Sequence, residues 1–166
     1  CRRTTILSVA ERAPDRAHTM PTAQEADVDL IRYGDDPAQF GELSRPDGAS
    51  KGVVVVVHGG FWRARYDLSL GRPLAASLVE HDWTVYNLEY RRVGNGGGYP
   101  QTLDDVADGI DALASVDGLD TSRVITMGHS AGGHLAVWAA GRAGLAGTPW
   151  ASVAVPVTAT ISQAGV

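Results

Sequence analysis

Residues 123–142, RVITMGHSAGGHLAVWAAGR, combine a short apolar run, a glycine-rich turn and a second apolar segment. The run Arg123–Met127 predicts a short strand, and the apolar positions of 131–142 predict a helix. Between them, residues 128–132 read GHSAG, which has the pattern G-x-S-x-G. Small residues two positions before and two positions after the serine let the strand and the helix approach each other, so that the hydroxyl stands free of the sheet. The stretch therefore predicts a strand–turn–helix unit that presents a serine at its turn.

The elements around this unit predict an α/β fold. Val53–Val57 is a run of five β-branched residues without polar alternation, which is typical of a strand buried on both faces of a parallel sheet. Periodicity and turn residues predict strands at 25–34, 39–45, 83–88 and 151–157 and helices at 68–81 and 100–114. Because strands and helices alternate, we expect a mostly parallel sheet with helices on both faces. The first predicted strand alternates weakly, which indicates an edge strand paired with the second as a hairpin.

A second glycine motif directly follows the valine strand. Residues 58–62 read HGGFW, and glycines at this place let backbone N–H groups approach a substrate oxygen. An acyl-transfer enzyme needs such donors to stabilise the oxyanion of its tetrahedral intermediate, and one donor contributes about 2.7–4 kcal/mol. The GHSAG turn alone also fits a glycine-rich connection with an incidental serine. Both motifs together, in this order and each at the end of a strand, favour a catalytic serine.

Three segments of the sequence carry a family resemblance: HGGFWRARYD (58–67), NLEYRRVGNGGGYPQTLDDV (87–106) and GHSAGGHLA (128–136). With them the chain resembles the α/β-hydrolases. Among these it is similar to the serine esterases and amidases of the branch that includes kynurenine-formamidase-like and hormone-sensitive-lipase-like enzymes. The resemblance covers about residues 25–166. The two glycine motifs are typical of the fold and its chemistry and do not identify a substrate.

The resemblance implies roles for a small set of residues. Ser130 would be the nucleophile, and the backbone N–H groups of Ala131 and of Gly60 or Phe61 would form the oxyanion hole. The implied function is hydrolysis of a small carboxylic ester or (form)amide through an acyl-enzyme on Ser130. The expected partner is therefore a small-molecule substrate, and no cofactor is implied.

A serine hydrolase also needs a histidine base and an acid that orients it. In this fold both follow the nucleophile along the chain, yet the sequence after Ser130 contains only His134 and no Asp or Glu. The resemblance therefore implies a C-terminally truncated hydrolase domain, with 25–166 as its N-terminal part. Residues 1–24 carry little periodicity, which indicates a loose leader or an over-extended start. Three hypotheses stay open: a piece of an active serine hydrolase, a catalytically inactive fragment, and a non-enzymatic small-molecule-binding module.

Other polar and aromatic residues have structural interpretations. His58 is expected to order the HGG loop rather than act as the base. Phe61 and Trp62 either wall a substrate pocket or cover the sheet edge. Glu89 follows a predicted strand and is expected to pair with one of the nearby arginines, Arg65, Arg91 or Arg92. The acidic residues of the helix at 100–114 are expected to form a solvated face: Asp104, Asp105, Asp108 and Asp111.

The composition argues against several classes of protein. The 166 residues contain 14 Lys and Arg against 19 Asp and Glu, a net charge of −5 without a basic stripe, so no nucleic-acid partner is expected. No apolar run reaches the ~18 residues of a membrane helix, and no histidines or cysteines have metal-ligand spacing. Cys1 is the single cysteine, which excludes an intramolecular disulfide and fits a reducing, cytoplasmic location. The oligomeric state stays open.

Overall fold

A computed structural model describes residues 28–166 of the chain, so the predicted leader 1–24 lies outside the described residues. Six strands form one sheet: Val28–Arg32 (β1), Phe40–Ser44 (β2), Val53–Val57 (β3), Thr84–Leu88 (β4), Val124–His129 (β5) and Ala159–Gln163 (β6). Three α-helices accompany it: Arg72–Glu80 (α1), Gln101–Asp111 (α2) and Ala131–Gly141 (α3).

The sheet is mixed and has the strand order β1-β2-β4-β3-β5-β6. The pairs β3–β4, β3–β5 and β5–β6 are parallel, whereas β1–β2 and β2–β4 are antiparallel. Every valine of β3 is at most 3% exposed, as expected for a central strand that is covered on both faces. The prediction of a mostly parallel sheet is confirmed, and the predicted hairpin of β1 and β2 forms one edge.

Helices cover both faces of the sheet, as predicted. On one face, Ile110 of α2 and Leu135 of α3 pack with Val55 in the larger core. On the other face, Ala75 of α1 packs with Val54, because successive side chains of a strand point to opposite faces. The carboxyl ends of β3, β4 and β5 lie at the same edge, so the segments that follow these three strands meet there. No helix within residues 28–166 is long and apolar enough to cross a membrane.

The prediction of a strand at 151–157 is wrong, since the sixth strand lies at Ala159–Gln163. Pro156 has no N–H to give to a neighbouring strand. The N–H groups of Ala154 and Val155 donate instead to Oδ1 of Asp111, at 3.1 and 3.0 Å. The apolar pattern of this segment therefore reflects a core contact of irregular chain, in which Val155 is fully buried.

The prediction of a solvated acidic face on α2 is also wrong, although Asp108 is exposed. Asp105 is fully buried and accepts hydrogen bonds from the backbone and side chain of Arg91 at 2.7–2.9 Å. Asp111 forms an ion pair with Arg142, which is itself buried. These carboxylates join α2 to the chain that follows β4 and to the chain that follows α3, a role that helical periodicity does not reveal.

Candidate active site

Ser130 stands at the sharp turn between β5 and α3, at the carboxyl edge of the sheet. Its backbone has φ 54° and ψ −122°, a conformation that costs a non-glycine residue about 1–3 kcal/mol. Its N–H donates to the carbonyl of Gln163 at 2.8 Å, and its carbonyl accepts from the N–H of His134 at 3.1 Å. The hydroxyl does not cap α3. The backbone of Ser130 is thus held on both sides, and its side chain remains available for chemistry.

The glycines around Ser130 let β3, β5 and α3 touch without side chains between them. A Cβ placed on Gly128 would lie 2.2 Å from the carbonyl oxygen of Gly132. A Cβ on Gly132 would lie 2.0 Å from the carbonyl oxygen of Val57. Both distances are far below van der Waals contact, so a side chain at either position would push the strand and helix apart. The G-x-S-x-G spacing is therefore a requirement of this packing.

The HGGFW segment forms a strained turn after β3. Gly60 has a φ of 115°, and Phe61 and Trp62 both have a φ of 54°. Hydrogen bonds fix this backbone: the N–H of Arg63 donates to the Gly60 carbonyl at 3.0 Å, and the N–H of Val93 donates to the Trp62 carbonyl at 2.8 Å. Left-handed conformations at two adjacent non-glycine residues persist only where the surroundings impose them, and such strain concentrates at functional sites.

The two glycine motifs lie directly against each other. A Cβ on Gly59 would lie 2.6 Å from the carbonyl oxygen of His129 and 3.5 Å from Cβ of Ser130. Within residues 28–166, the N–H groups of Gly60, Phe61 and Ala131 donate no hydrogen bond. The structure therefore brings the sequence-predicted site residues to one edge of the sheet, with three backbone donors that no other described group engages.

A pocket of about 430 Å³ lies beside the HGGFW turn, lined by Phe61, Trp62, Arg63, Arg65 and Tyr66. Phe61 is 72% exposed, whereas Trp62 packs against the larger core. Both aromatic residues therefore line the pocket, but Phe61 is open to solvent, whereas Trp62 also packs on the core and anchors the turn.

None of the four histidines within residues 28–166 makes a hydrogen bond to the side chain of Ser130. His81 binds the backbone of its own helix, His129 is exposed, and His134 packs edge-on against the indole of the HGGFW segment. The ring nitrogens of His58 contact Gly59, Glu89 and Arg92 instead. Over the same residues, no group of three or more His, Cys, Asp or Glu side chains is placed to hold a metal ion.

His58 is buried in a charged cluster behind the HGGFW turn, where it is 3% exposed. Its Nδ1 lies 2.8 Å from the carbonyl oxygen of Gly59, and its Nε2 lies 3.1 Å from Nη1 of Arg92 and 3.3 Å from Oε1 of Glu89. A neutral imidazole that donates from Nδ1 and accepts from Arg92 at Nε2 satisfies these contacts. Burial lowers the pKa of His58 to about 4, and the Arg92 cation acts in the same direction. His58 thus orders the loop, and Glu89 pairs with Arg92 among the three candidate arginines.

The buried His58 predicts a loss of stability in mild acid. His58 binds a proton near pH 6.5 in the unfolded chain and only near pH 4 in the folded chain. The contribution of His58 is therefore complete above pH 6.5 and falls as the pH is lowered towards 4. Between pH 7.5 and pH 5, we expect the free energy of unfolding of the wild type to fall by about 2 kcal/mol more than that of His58→Asn. Urea unfolding at the two pH values measures this difference.

The matched control is His81→Asn, because His81 is exposed at the end of α1. This variant leaves the contacts of His58 intact, so its free energy of unfolding should fall more between the two pH values than that of His58→Asn. The assignment is wrong if His58→Asn loses as much stability between the two pH values as the wild type does.

The fold is that of the α/β-hydrolase esterases. A family model described as BD-FAE matches residues 43–148, and the chain belongs to this family. It is 37% identical over 115 residues to an isoprenylcysteine alpha-carbonyl methylesterase of Arabidopsis thaliana. The matched region covers 66% of this chain and 26% of the relative. The narrower resemblance to a kynurenine-formamidase-like branch stays a prediction.

Solved structures agree on the fold. A bacterial heroin esterase matches with a TM-score of 0.68 and 22% identity, over 86% of this chain and 45% of the esterase. Esterase B of Lactobacillus rhamnosis matches with a TM-score of 0.68 and 24% identity, over 83% of this chain and 47% of that one. The chain spans about a quarter of the length of the curated relatives it matches.

Proposed function

We propose that the protein is a carboxylic ester hydrolase that uses Ser130 as its nucleophile. The single observation that carries this proposal is the contact between the two glycine motifs, which sets the strained Ser130 turn beside unengaged backbone N–H groups. Strain at Ser130 keeps the hydroxyl exposed to substrate, and a helix N-terminus behind it favours negative charge at the reacting centre.

The proposed reaction passes through an acyl-enzyme. The Ser130 oxygen attacks the ester carbonyl carbon, and the carbonyl oxygen becomes the oxyanion of a tetrahedral intermediate. The N–H groups of Ala131 and of Gly60 or Phe61 donate to this oxyanion. The intermediate then breaks its bond to the alcohol oxygen, which leaves as the alcohol with the proton taken from Ser130. Water attacks the acyl-enzyme, which releases the carboxylic acid and restores the Ser130 hydroxyl. We place the base that takes the Ser130 proton, and the acid that orients it, outside residues 28–166.

The proposed substrate is a small-molecule ester. The Arabidopsis relative is named as a methylesterase, which favours an ester over the (form)amide that the sequence leaves open. An open pocket beside the proposed oxyanion donors suits the acyl or alcohol part of such a molecule. A cytoplasmic location and the absence of nucleic-acid and membrane partners stay predictions from the composition.

Active-site labelling tests the nucleophile without any substitution. The test uses the full-length protein that contains this sequence. We expect a fluorophosphonate probe to modify its Ser130, because the probe's phosphorus mimics the attacked carbonyl carbon. Cleavage after arginine releases residues 124–142, a peptide in which Ser130 is the single serine. Mass spectrometry of this peptide therefore assigns the modified residue directly.

Heat-denatured protein is the control, since labelling should require the folded turn. Modification of a different serine, or no modification of the native protein, would refute the assignment of Ser130.

A further inference from the structure

The chain between β3 and α1 carries two of the proposed oxyanion donors, and both of its ends are held by residues at the end of β4. This connecting segment, residues 58–68, is called the oxyanion loop below. Its middle also docks on the chain that follows β4, because the N–H of Ala64 donates to the carbonyl of Val93 at 3.0 Å. The position of Gly60 and Phe61 therefore depends on contacts made from β4.

Tyr90 holds the first end of the oxyanion loop. Its hydroxyl donates to the carbonyl oxygen of His58 at 2.7 Å. Its ring stacks on the His58 imidazole, with centroids 4.4 Å apart and planes inclined by 18°. Tyr90 is fully buried, so the loop cannot shift at His58 without breaking a hydrogen bond that no solvent replaces.

Glu89 holds the second end of the oxyanion loop. Its Oε2 accepts from the N–H of Leu68 at 3.0 Å, and its Oε1 accepts from the N–H of Tyr90 at 2.9 Å and from Arg92. Glu89 is 4% exposed, and its burial strengthens these charge-assisted bonds. Asn87 adds a hydrogen bond from Nδ2 to the carbonyl of Leu68 at 2.9 Å. Both ends of the oxyanion loop are thus held by β4 and the two residues that directly follow it.

We propose that Tyr90 and Glu89 are positioning residues, which set the oxyanion loop at the distance from Ser130 that stabilises the transition state. The proposal rests on the proposed function and adds to it the residues that determine donor geometry. Oxyanion donors act mainly in the transition state. Loosening the loop should therefore lower kcat and leave KM nearly unchanged, whereas loss of an ordinary structural contact should change stability alone.

The experiment compares Tyr90→Phe with Tyr86→Phe in the full-length protein. Both tyrosines are fully buried, but the Tyr86 hydroxyl has no hydrogen-bond partner within residues 28–166. With p-nitrophenyl acetate, we expect Tyr90→Phe to lower kcat by about tenfold, since complete loss of one donor costs about 10²–10³-fold and here the donors are only displaced. KM should stay within about twofold, and Tyr86→Phe should match the wild type in both constants.

Hydrogen exchange followed by mass spectrometry adds a readout that does not depend on turnover. Peptides from residues 58–68 should exchange faster in Tyr90→Phe than in Tyr86→Phe, while peptides from α1 exchange alike. If Tyr90→Phe does not fold, Glu89→Gln replaces it, with the same expected loss of kcat.

The outcomes separate this proposal from the proposed function. Ser130-dependent turnover in the wild type, together with an unchanged kcat in Tyr90→Phe, would overturn the positioning role and leave the nucleophile in place. A lower kcat without faster exchange in the loop would also overturn it. A wild type without Ser130-dependent turnover would overturn both.

Discussion

Alanine at position 130 is expected to lower kcat for ester hydrolysis by about 10⁴- to 10⁶-fold, since removal of one member of a catalytic triad costs about this much. Without the hydroxyl no acyl-enzyme forms, so turnover falls to what the backbone donors and substrate binding achieve with water as nucleophile. Stopped-flow or steady-state release of p-nitrophenol by the full-length protein measures the change.

The fold should tolerate this substitution, which makes the kinetic result interpretable. Ser130 and an alanine in its place share the same strained backbone with φ near 54°, so the free energy of unfolding should change by less than about 1 kcal/mol. Ser130→Gly should be equally inactive but more stable, by about 1 kcal/mol, because glycine adopts a positive φ without strain.

The matched control is Ser77→Ala. Ser77 is exposed on α1, and α1 and α3 lie on opposite faces of the sheet. This variant should keep wild-type kcat and KM. Turnover by Ser130→Ala within about tenfold of the wild type would contradict a nucleophilic role for Ser130.

The sequence predicts those parts of the fold whose cause is local. Val53–Val57 is a strand because five β-branched residues suit only an extended, doubly covered position, and β3 occupies that position. The turn at Ser130 follows from glycines two residues before and after it, which the packing of β5 on α3 requires. The residue types that mark both features stand next to one another in the sequence and can be recognised there.

Features that depend on distant partners could not be predicted in the same way. The segment at 151–157 has the apolar pattern of a strand, but its N–H groups bind a carboxylate of α2, more than forty residues earlier. Glu89 had three arginines within reach along the sequence, and only the folded chain selects Arg92. The sequence does not predict the hydrogen bond from the Tyr90 hydroxyl to the His58 carbonyl, because a buried tyrosine hydroxyl can find its partner anywhere in the fold.

Alanine at Gly132 is expected to destabilise the fold by about 3–5 kcal/mol, against the usual effect of this substitution. In a helix interior, glycine to alanine normally stabilises by about 1 kcal/mol. At Gly132, however, the new Cβ would lie 2.0 Å from the carbonyl oxygen of Val57 and 2.6 Å from that of His58. Both obstacles are backbone atoms at the end of the central strand, so they cannot rotate away as a side chain could.

The same helix offers the control. Gly141 ends α3, and a Cβ on it would have no heavy atom within 4 Å. Gly141→Ala should therefore keep or raise the free energy of unfolding, by up to about 1 kcal/mol. Thermal unfolding should show a midpoint about 10 °C below the wild type for Gly132→Ala. If Gly132→Ala fails to fold while Gly141→Ala folds, that result supports the same close contact. Equal midpoints for the two variants would show that α3 does not press on β3, and the close contact of the two glycine motifs at the candidate site would then be wrong.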